Sequence, residues 1–313
     1  KAVELADQAR AIYKEETILQ GGTGHKNGYE DIRIVLSLGP FGASLIPTQE
    51  WDAFYPPPYG PAPYNSSGDV VNRNSFTVDE EEASVDSVRA LAEFHRERLM
   101  MFLEDEEGRK VWNKVDCIAF ETIPLVREIR AIRIAVSQAF QGRDELSKPW
   151  WISAIFPDGI FPEGNPAEAK LRLEKRDVVR AMLGSMTNPE NGLPVLTPCG
   201  IGVNCTLQNH IARILEEFEI EVKLGKELYG ICQKLWLVVY PNAGDVFDLA
   251  SQEWVEEEEP MKSEKADLWA QNLTEIVKKT AETKTWETIV VVSDPVQNQF
   301  KFKHLGENQL SVK

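Results

Sequence analysis

Two residues carry the sharpest chemistry in this 313-residue chain. Glu121 directly follows the apolar run Cys117-Ile118-Ala119-Phe120, and Cys205 follows Asn204 at the end of "GIGVN". A carboxylate at the tip of a buried strand must be hydrogen-bonded, charge-paired or neutral. Glu121 therefore either holds a ligand, acts as a general base, or serves the fold by capping a helix or pairing with an arginine. A thiol at such a tip is a nucleophile or metal ligand once deprotonated, or else a small buried hydrophobe. Thr122, Ser153, Thr206, Tyr240, Asn242, Ser293 and Asp294 fall at equivalent positions, an unusually polar set for strand ends. Cys199 does not readily join Cys205 on one metal, because six extended residues span about 20 Å. No CxxC pair, GxGxxG turn or Gly-Lys-Ser/Thr loop is present, so zinc-ribbon and nucleotide-loop chemistry lack a motif. His95 and His210 fall on expected helices and His25 and His304 on expected loops, so no Cys–His pair is signalled.

These residues need strands to place them. Six short apolar runs qualify: 32–38 "IRIVLSL", 115–123 "VDCIAFETI", 149–157 "PWWISAIFP", 200–206 "GIGVNCT", 234–241 "KLWLVVYP" and 285–295 "TWETIVVVSDP". Segments with helical spacing fall at 1–15, from Thr77 to about Glu104, 126–140, 166–184, 208–219 and 265–280. Thr77-Val78-Asp79-Glu80 has the form of a capping box. Strands alternating with helices predict an α/β fold with a parallel sheet, in which reactive groups gather at the carboxyl ends of the strands. Six repeats suit either an open sheet or six-eighths of a (β/α)8 barrel. The loop from Ile46 to Asp79, with "YPPPYGPAPYNSSG", is too long for a plain connection and is functional or partly disordered. One domain over residues 1–313 is the expectation.

Composition narrows the partners. Fifty acidic against 34 basic residues give a net charge of −16, which disfavours a phosphate-backbone partner, so nucleic-acid binding is not expected. The run Glu256–Glu259 reads as a solvated face. No apolar run approaches the roughly 20 residues of a membrane span. The first residues read as a helix rather than a signal peptide, and, lacking an initiator Met, as the interior of a longer protein. Four cysteines without framework spacing fit reduced thiols in a cytoplasmic protein.

Taken together, the strand tips resemble those of homocysteine S-methyltransferases, most closely the fungal and plant-type enzymes. The resemblance runs through "SLGPFGASL" (37–45), "EFHRERLMMFLE" (93–104), "DCIAFETIP" (116–124), "PWWISAIF" (149–156), "GIGVNCT" (200–206) and "WLVVYPNAGDVFD" (236–248), in the family's order. It implies a (β/α)8 TIM-type barrel whose zinc binds and activates the homocysteine sulfur. A coordinated thiol loses its proton, and the thiolate takes a methyl group from S-methylmethionine or S-adenosylmethionine to give methionine. By resemblance, Cys205 matches the first zinc ligand. Glu121 matches the acid that holds the substrate amino group. Asn204 would orient the amino acid, Thr122 and Ser153 would line the pocket, and Tyr240 and Asn242 would shape the barrel top.

Two departures stand against this pattern. The family ends its last strand with Gly-Gly-Cys-Cys, the remaining zinc ligands, whereas Ser293-Asp294-Pro295-Val296 stand here and no cysteine follows Cys232. Two further strands precede the first helix in the family, and Gly21-Gly22 comes after it, so the barrel is expected to be incomplete. A methyltransferase and a catalytically inactive relative that keeps the barrel and amino-acid binding are therefore both live readings. An unrelated barrel enzyme with Glu121 as base is the third.

Overall fold

The protein is described by a computed structural model at residues 1–19, 32–229, 234–242, 247–248, 253–254, 261–291 and 310–312. Helix α1 (Ala2–Leu19) precedes strand β1 (Val35–Leu38); then come α2 (Glu81–Leu103), α3 (Glu106–Trp112) and β2 (Cys117–Ile123). Helix α4 (Val126–Phe140), β3 (Trp150–Ala154), a small hairpin β4–β5 (Gly164–Asn165, Glu168–Arg172) and α5 (Lys175–Leu183) follow. The remainder comprises β6 (Gly200–Leu207), α6 (Gln208–Tyr229), β7 (Trp236–Asn242), the short β8 (Phe247–Asp248) and β9 (Glu253–Trp254), α7 (Met261–Glu282), β10 (Thr288–Val291) and β11 (Leu310–Val312).

All six expected strands enter one parallel sheet, in the order β1-β2-β3-β6-β7-β10-β11. The seventh, Leu310–Val312, is three residues long and carried no pattern that would have announced it. The sheet is an α/β arc compatible with an incomplete TIM-type barrel; among the described residues β1 and β11 do not pair and no closed barrel forms.

The period-2 alternation of a strand divides this sheet into two faces. One face carries Ile118, Phe120, Ile152, Ile201, Val203, Leu237 and Val239 into the main core beneath the helices. The other gathers Cys117, Ala119, Trp151 and Val238 with Trp236, Tyr240 and Val290. Gly202 lies on this second face, where a Cβ would overlap the Val238 carbonyl and approach Ser153 Oγ to 2.7 Å. Gly202→Ala is expected to cost about 1–3 kcal/mol through overpacking, read as a lower urea midpoint with an unchanged m-value.

The helix expected at 166–184 is only half correct. Residues 168–172 form β5 of a hairpin, and the helix begins at Lys175. Asn165 Oδ1 accepts the Ala167 N–H at 2.9 Å and turns the chain before a helix can start. The start is set later, where the Glu174 N–H donates to Asp177 at 3.0 Å. The capping box at residues 77–80 is present, with Glu80 accepting the Thr77 N–H at 2.9 Å.

The long loop after β1 is ordered by buried polar groups. Glu128 on α4 accepts the Phe41 N–H at 2.6 Å and the Tyr55 hydroxyl at 2.9 Å, and its Oε1 lies 3.0 Å from His95 Nε2. Phe41 and Tyr59 stack at 3.9 Å. Asn74 donates to the carbonyls of Asp52 (2.7 Å) and Pro162 (2.9 Å), tying this loop to the one after β3. Among the described residues no helix is long and apolar enough to cross a membrane.

Candidate functional site

The carboxyl ends of β2 and β6 are both irregular. Pairing of β2 with β3 shifts register between Phe120 and Ile123, and that of β6 with β7 between Asn204 and Leu207. Within these shifts Thr122 and Cys205 take left-handed backbone conformations, with φ of 63° and 46°. Such bulges re-aim side chains. A β-branched residue there is an outlier, and each costs about 1–3 kcal/mol unless the surroundings enforce it.

Asn204 does the enforcing. Its Oδ1 accepts the Thr122 backbone N–H at 2.9 Å, and its Nδ2 donates to Thr122 Oγ1 at 2.8 Å and faces Cys205 Sγ at 3.2 Å. A backbone N–H can only donate, so the orientation of the amide follows from the network. Thr122 Oγ1 lies 3.7 Å from Cys205 Sγ. Three of the five residues singled out from sequence thus form one cluster spanning the end of β3.

The other two lie at neighbouring strand tips: the Glu121 charge acts on Cys205, and both Glu121 and Ser153 adjoin Tyr240. The Ser37 hydroxyl donates to Glu121 Oε1. The Tyr240 phenol sits against Glu121, Ser153 and Trp151; burial, then the Glu121 charge, push its pKa well above the ordinary value. Among the described residues, Trp151 Nε1, Ser153 Oγ and Tyr240 Oη are buried without a well-formed hydrogen bond, although the Tyr240 hydroxyl lies beside the other two and Glu121. Unpaired buried polar atoms are costly, and these three stand side by side at the strand tips next to Glu121.

Sequence reasoning left Tyr240 to shape the barrel top, placed Ser37 at a strand tip without giving it a role, and passed over Trp151 and Glu50. Trp151 stands two residues before Ser153, so the strand period alone put both on one face. Glu50 lies in the long loop, where no periodicity speaks. His95 and His210 lie on α2 and α6, as expected; His25, His304, Gly21-Gly22 and Ser293–Val296 lie outside the described residues.

Burial raises the Cys205 thiol pKa, and the charges of Glu121 and Glu50 add to this, while hydrogen bonds from Thr122 and Asn204 act in the opposite sense. The raised value leaves a neutral thiol at pH 7. Alkylation of Cys205 by iodoacetamide, followed by mass spectrometry, is expected to be slow at pH 7, with a midpoint above the usual thiol range of about 8.5. A midpoint below 8 would contradict this electrostatic picture.

A zinc ion needs three or four protein ligands, or three and a substrate. Cys205 is the one thiol of this cluster, and its sulfur faces an amide N–H donor, which ligates nothing. Among the described residues no group of three His, Cys, Asp or Glu side chains is placed to hold a metal. The described residues therefore do not fit a zinc ion at Cys205.

An arc of parallel strands with a thiol, a carboxylate and buried polar groups at its carboxyl ends defines an α/β chain compatible with an incomplete TIM-type barrel. Comparison with known proteins supplies the family: the chain belongs to the homocysteine S-methyltransferases, whose sequence model matches residues 1–278. It is 25% identical over 263 residues to "Homocysteine S-methyltransferase 2" of Arabidopsis thaliana, covering 82% of this chain and 57% of that protein. It is 26% identical over 255 residues to "Homocysteine S-methyltransferase" of Escherichia coli (strain K12), covering 81% and 56%. A 152-residue match to "Homocysteine S-methyltransferase 2" of Saccharomyces cerevisiae is 27% identical, covering 48% and 38%. The chain thus spans little more than half the length of the curated relatives it matches most fully.

Proposed function

We propose that residues 1–313 act as one homocysteine-binding domain, and that the recess at the strand tips holds homocysteine as a methyl acceptor. The single observation that supports this is that Glu121, Thr122, Ser153, Asn204 and Cys205, named from sequence, lie together at adjacent strand tips beside Trp151 and Tyr240, whose buried polar atoms, like the Ser153 hydroxyl, lack a well-formed hydrogen bond among the described residues. Glu121 takes the substrate ammonium. Ser153 and Tyr240 pair with polar atoms of the amino acid, Asn204 and Thr122 fix its orientation, and the substrate sulfur lies toward Cys205. The donor is a sulfonium, S-methylmethionine or S-adenosylmethionine. The acceptor thiol gives its proton to solvent, its sulfur attacks the methyl carbon in line, and the donor's sulfonium S–CH3 bond breaks so that the donor leaves as a neutral thioether. Positioning dominates such a transfer. The reading also places the protein, with its reduced Cys117, Cys199 and Cys205, in the cytoplasm with small-molecule partners.

A second reading is favoured by one specific observation, the lone thiol: a relative that binds the amino acid without turnover. Calorimetry with homocysteine and methionine, a methionine-formation assay with both donors, and metal analysis of purified protein separate them. Turnover rules out the second reading. Amino-acid binding with neither metal nor turnover supports it. Absence of any amino-acid binding defeats both.

A further inference from the structure

We infer that Glu50, from the long loop after β1, is a second carboxylate of this recess, and that it makes the site prefer a cationic sulfonium ligand over the matching neutral thioether. The inference rests on the homocysteine-binding reading above and adds to it a residue that selects the donor.

Glu50 is half-buried. A Cβ built on Gly39 would lie 4.0 Å from its Oε1, so the carboxylate stands just beyond the carboxyl end of β1, where Ser37 bonds Glu121. Its charge acts on the Cys205 thiol, as does that of Glu121. Elsewhere two buried carboxylates have a cation beside them, Glu163 with Arg127 at 2.9 Å and Glu219 with Lys223 at 2.5 Å, while the buried Glu128 is held by hydrogen bonds from Phe41 and Tyr55 and lies 3.0 Å from His95 Nε2. Among the described residues, neither Glu50 nor Glu121 has an ion pair. Among the described residues, Glu50 accepts a 3.3 Å hydrogen bond from the Thr48 hydroxyl.

Two carboxylates without an ion pair among the described residues put negative charge at this strand end, which a cationic ligand would offset. A metal ion is not that ligand on the described donors, since no three of them converge. The unpaired Ser153 hydroxyl, fully buried, and the Trp151 indole N–H independently mark the recess for an organic polar ligand. An amino-acid ammonium accounts for Glu121. A sulfonium has no N–H or O–H to donate, so charge is what distinguishes it from a thioether. A carboxylate without a cation beside it supplies that recognition.

The test compares S-methylmethionine with methionine, which differ by one methyl group and one positive charge. Calorimetry on the full chain should show wild type preferring S-methylmethionine by about tenfold at low salt, with the preference shrinking as ionic strength rises. Glu50→Gln should bring the ratio close to one while methionine affinity stays within about twofold, and Glu50→Asp should restore part of the preference. Circular dichroism of each variant guards against misfolding, and the salt series on wild type stands without any variant. Equal affinities in wild type, or an unchanged ratio in a folded Glu50→Gln, would overturn the inference and leave amino-acid binding intact. If wild type binds neither compound nor homocysteine, the reading of the recess fails and takes the inference with it.

Discussion

Replacing Glu121 by Gln should weaken homocysteine binding by about a hundredfold while leaving the melting temperature within about 2 °C of wild type. The carboxylate is half-buried, bonded by the Ser37 hydroxyl and without an ion-pair partner, so its charge is not needed by any cation of the described fold. Removing it deprives a buried ammonium of its counter-charge, and losing one partner of a desolvated charge pair costs about 2–5 kcal/mol. The isosteric amide keeps a hydrogen-bond acceptor for Ser37, which is why stability should hold. Calorimetry against homocysteine, with thermal melts run in parallel, reads both quantities. A Glu121→Gln protein that binds homocysteine within threefold of wild type would remove Glu121 from the substrate site.

The largest stability effect is expected away from the recess. Glu128→Ala removes, in one change, the acceptor for the Phe41 N–H and the Tyr55 hydroxyl and the partner of His95 Nε2. All three groups are buried. Breaking a buried charged network by deleting one member costs about 3–5 kcal/mol, which for a chain of this size corresponds to a melting temperature lower by roughly 5–8 °C. The loop from Phe41 to Tyr55 hangs on this carboxylate, so its amides should also lose protection from hydrogen exchange. Loss of less than 1 kcal/mol would show that the loop is held by other contacts. Burial keeps the His95 pKa below its ordinary value. Its share of stability is therefore present above about pH 6.5 and is lost as pH falls toward the folded-state value, because the unfolded chain binds the proton more readily.

The architecture was legible where burial on both faces wrote continuous apolar runs, as in "VDCIAFETI" and "KLWLVVYP". Polar residues at the ends of those runs had no place in a core, which is why Glu121, Ser153 and Asn204 stood out. Three things were not legible. The hairpin at 164–172 resembled the start of a helix, because a short mixed segment satisfies either period and only the turn at Asn165 decides. The backbone reversal at Thr122 and Cys205 depends on register against neighbouring strands, and pairing is not written in one strand. Glu50 reaches the recess by the course of a long loop anchored on Glu128, a tertiary fact with no local signal. The expectation for Ser293–Val296 falls outside the described residues.

The left-handed residues at the two strand tips bear on how this chain can change over generations. Glycine adopts that conformation at no steric cost, so a glycine at position 122 or 205 would relieve roughly 1 kcal/mol of backbone energy. That relief is opposed by the extra entropy a glycine loses on folding and, at position 122, by loss of the hydroxyl that accepts from Asn204 Nδ2 at 2.8 Å. A lineage that retains both is held there by what the side chains do, and their replacement by glycine in a descendant would mark the point at which that use ended.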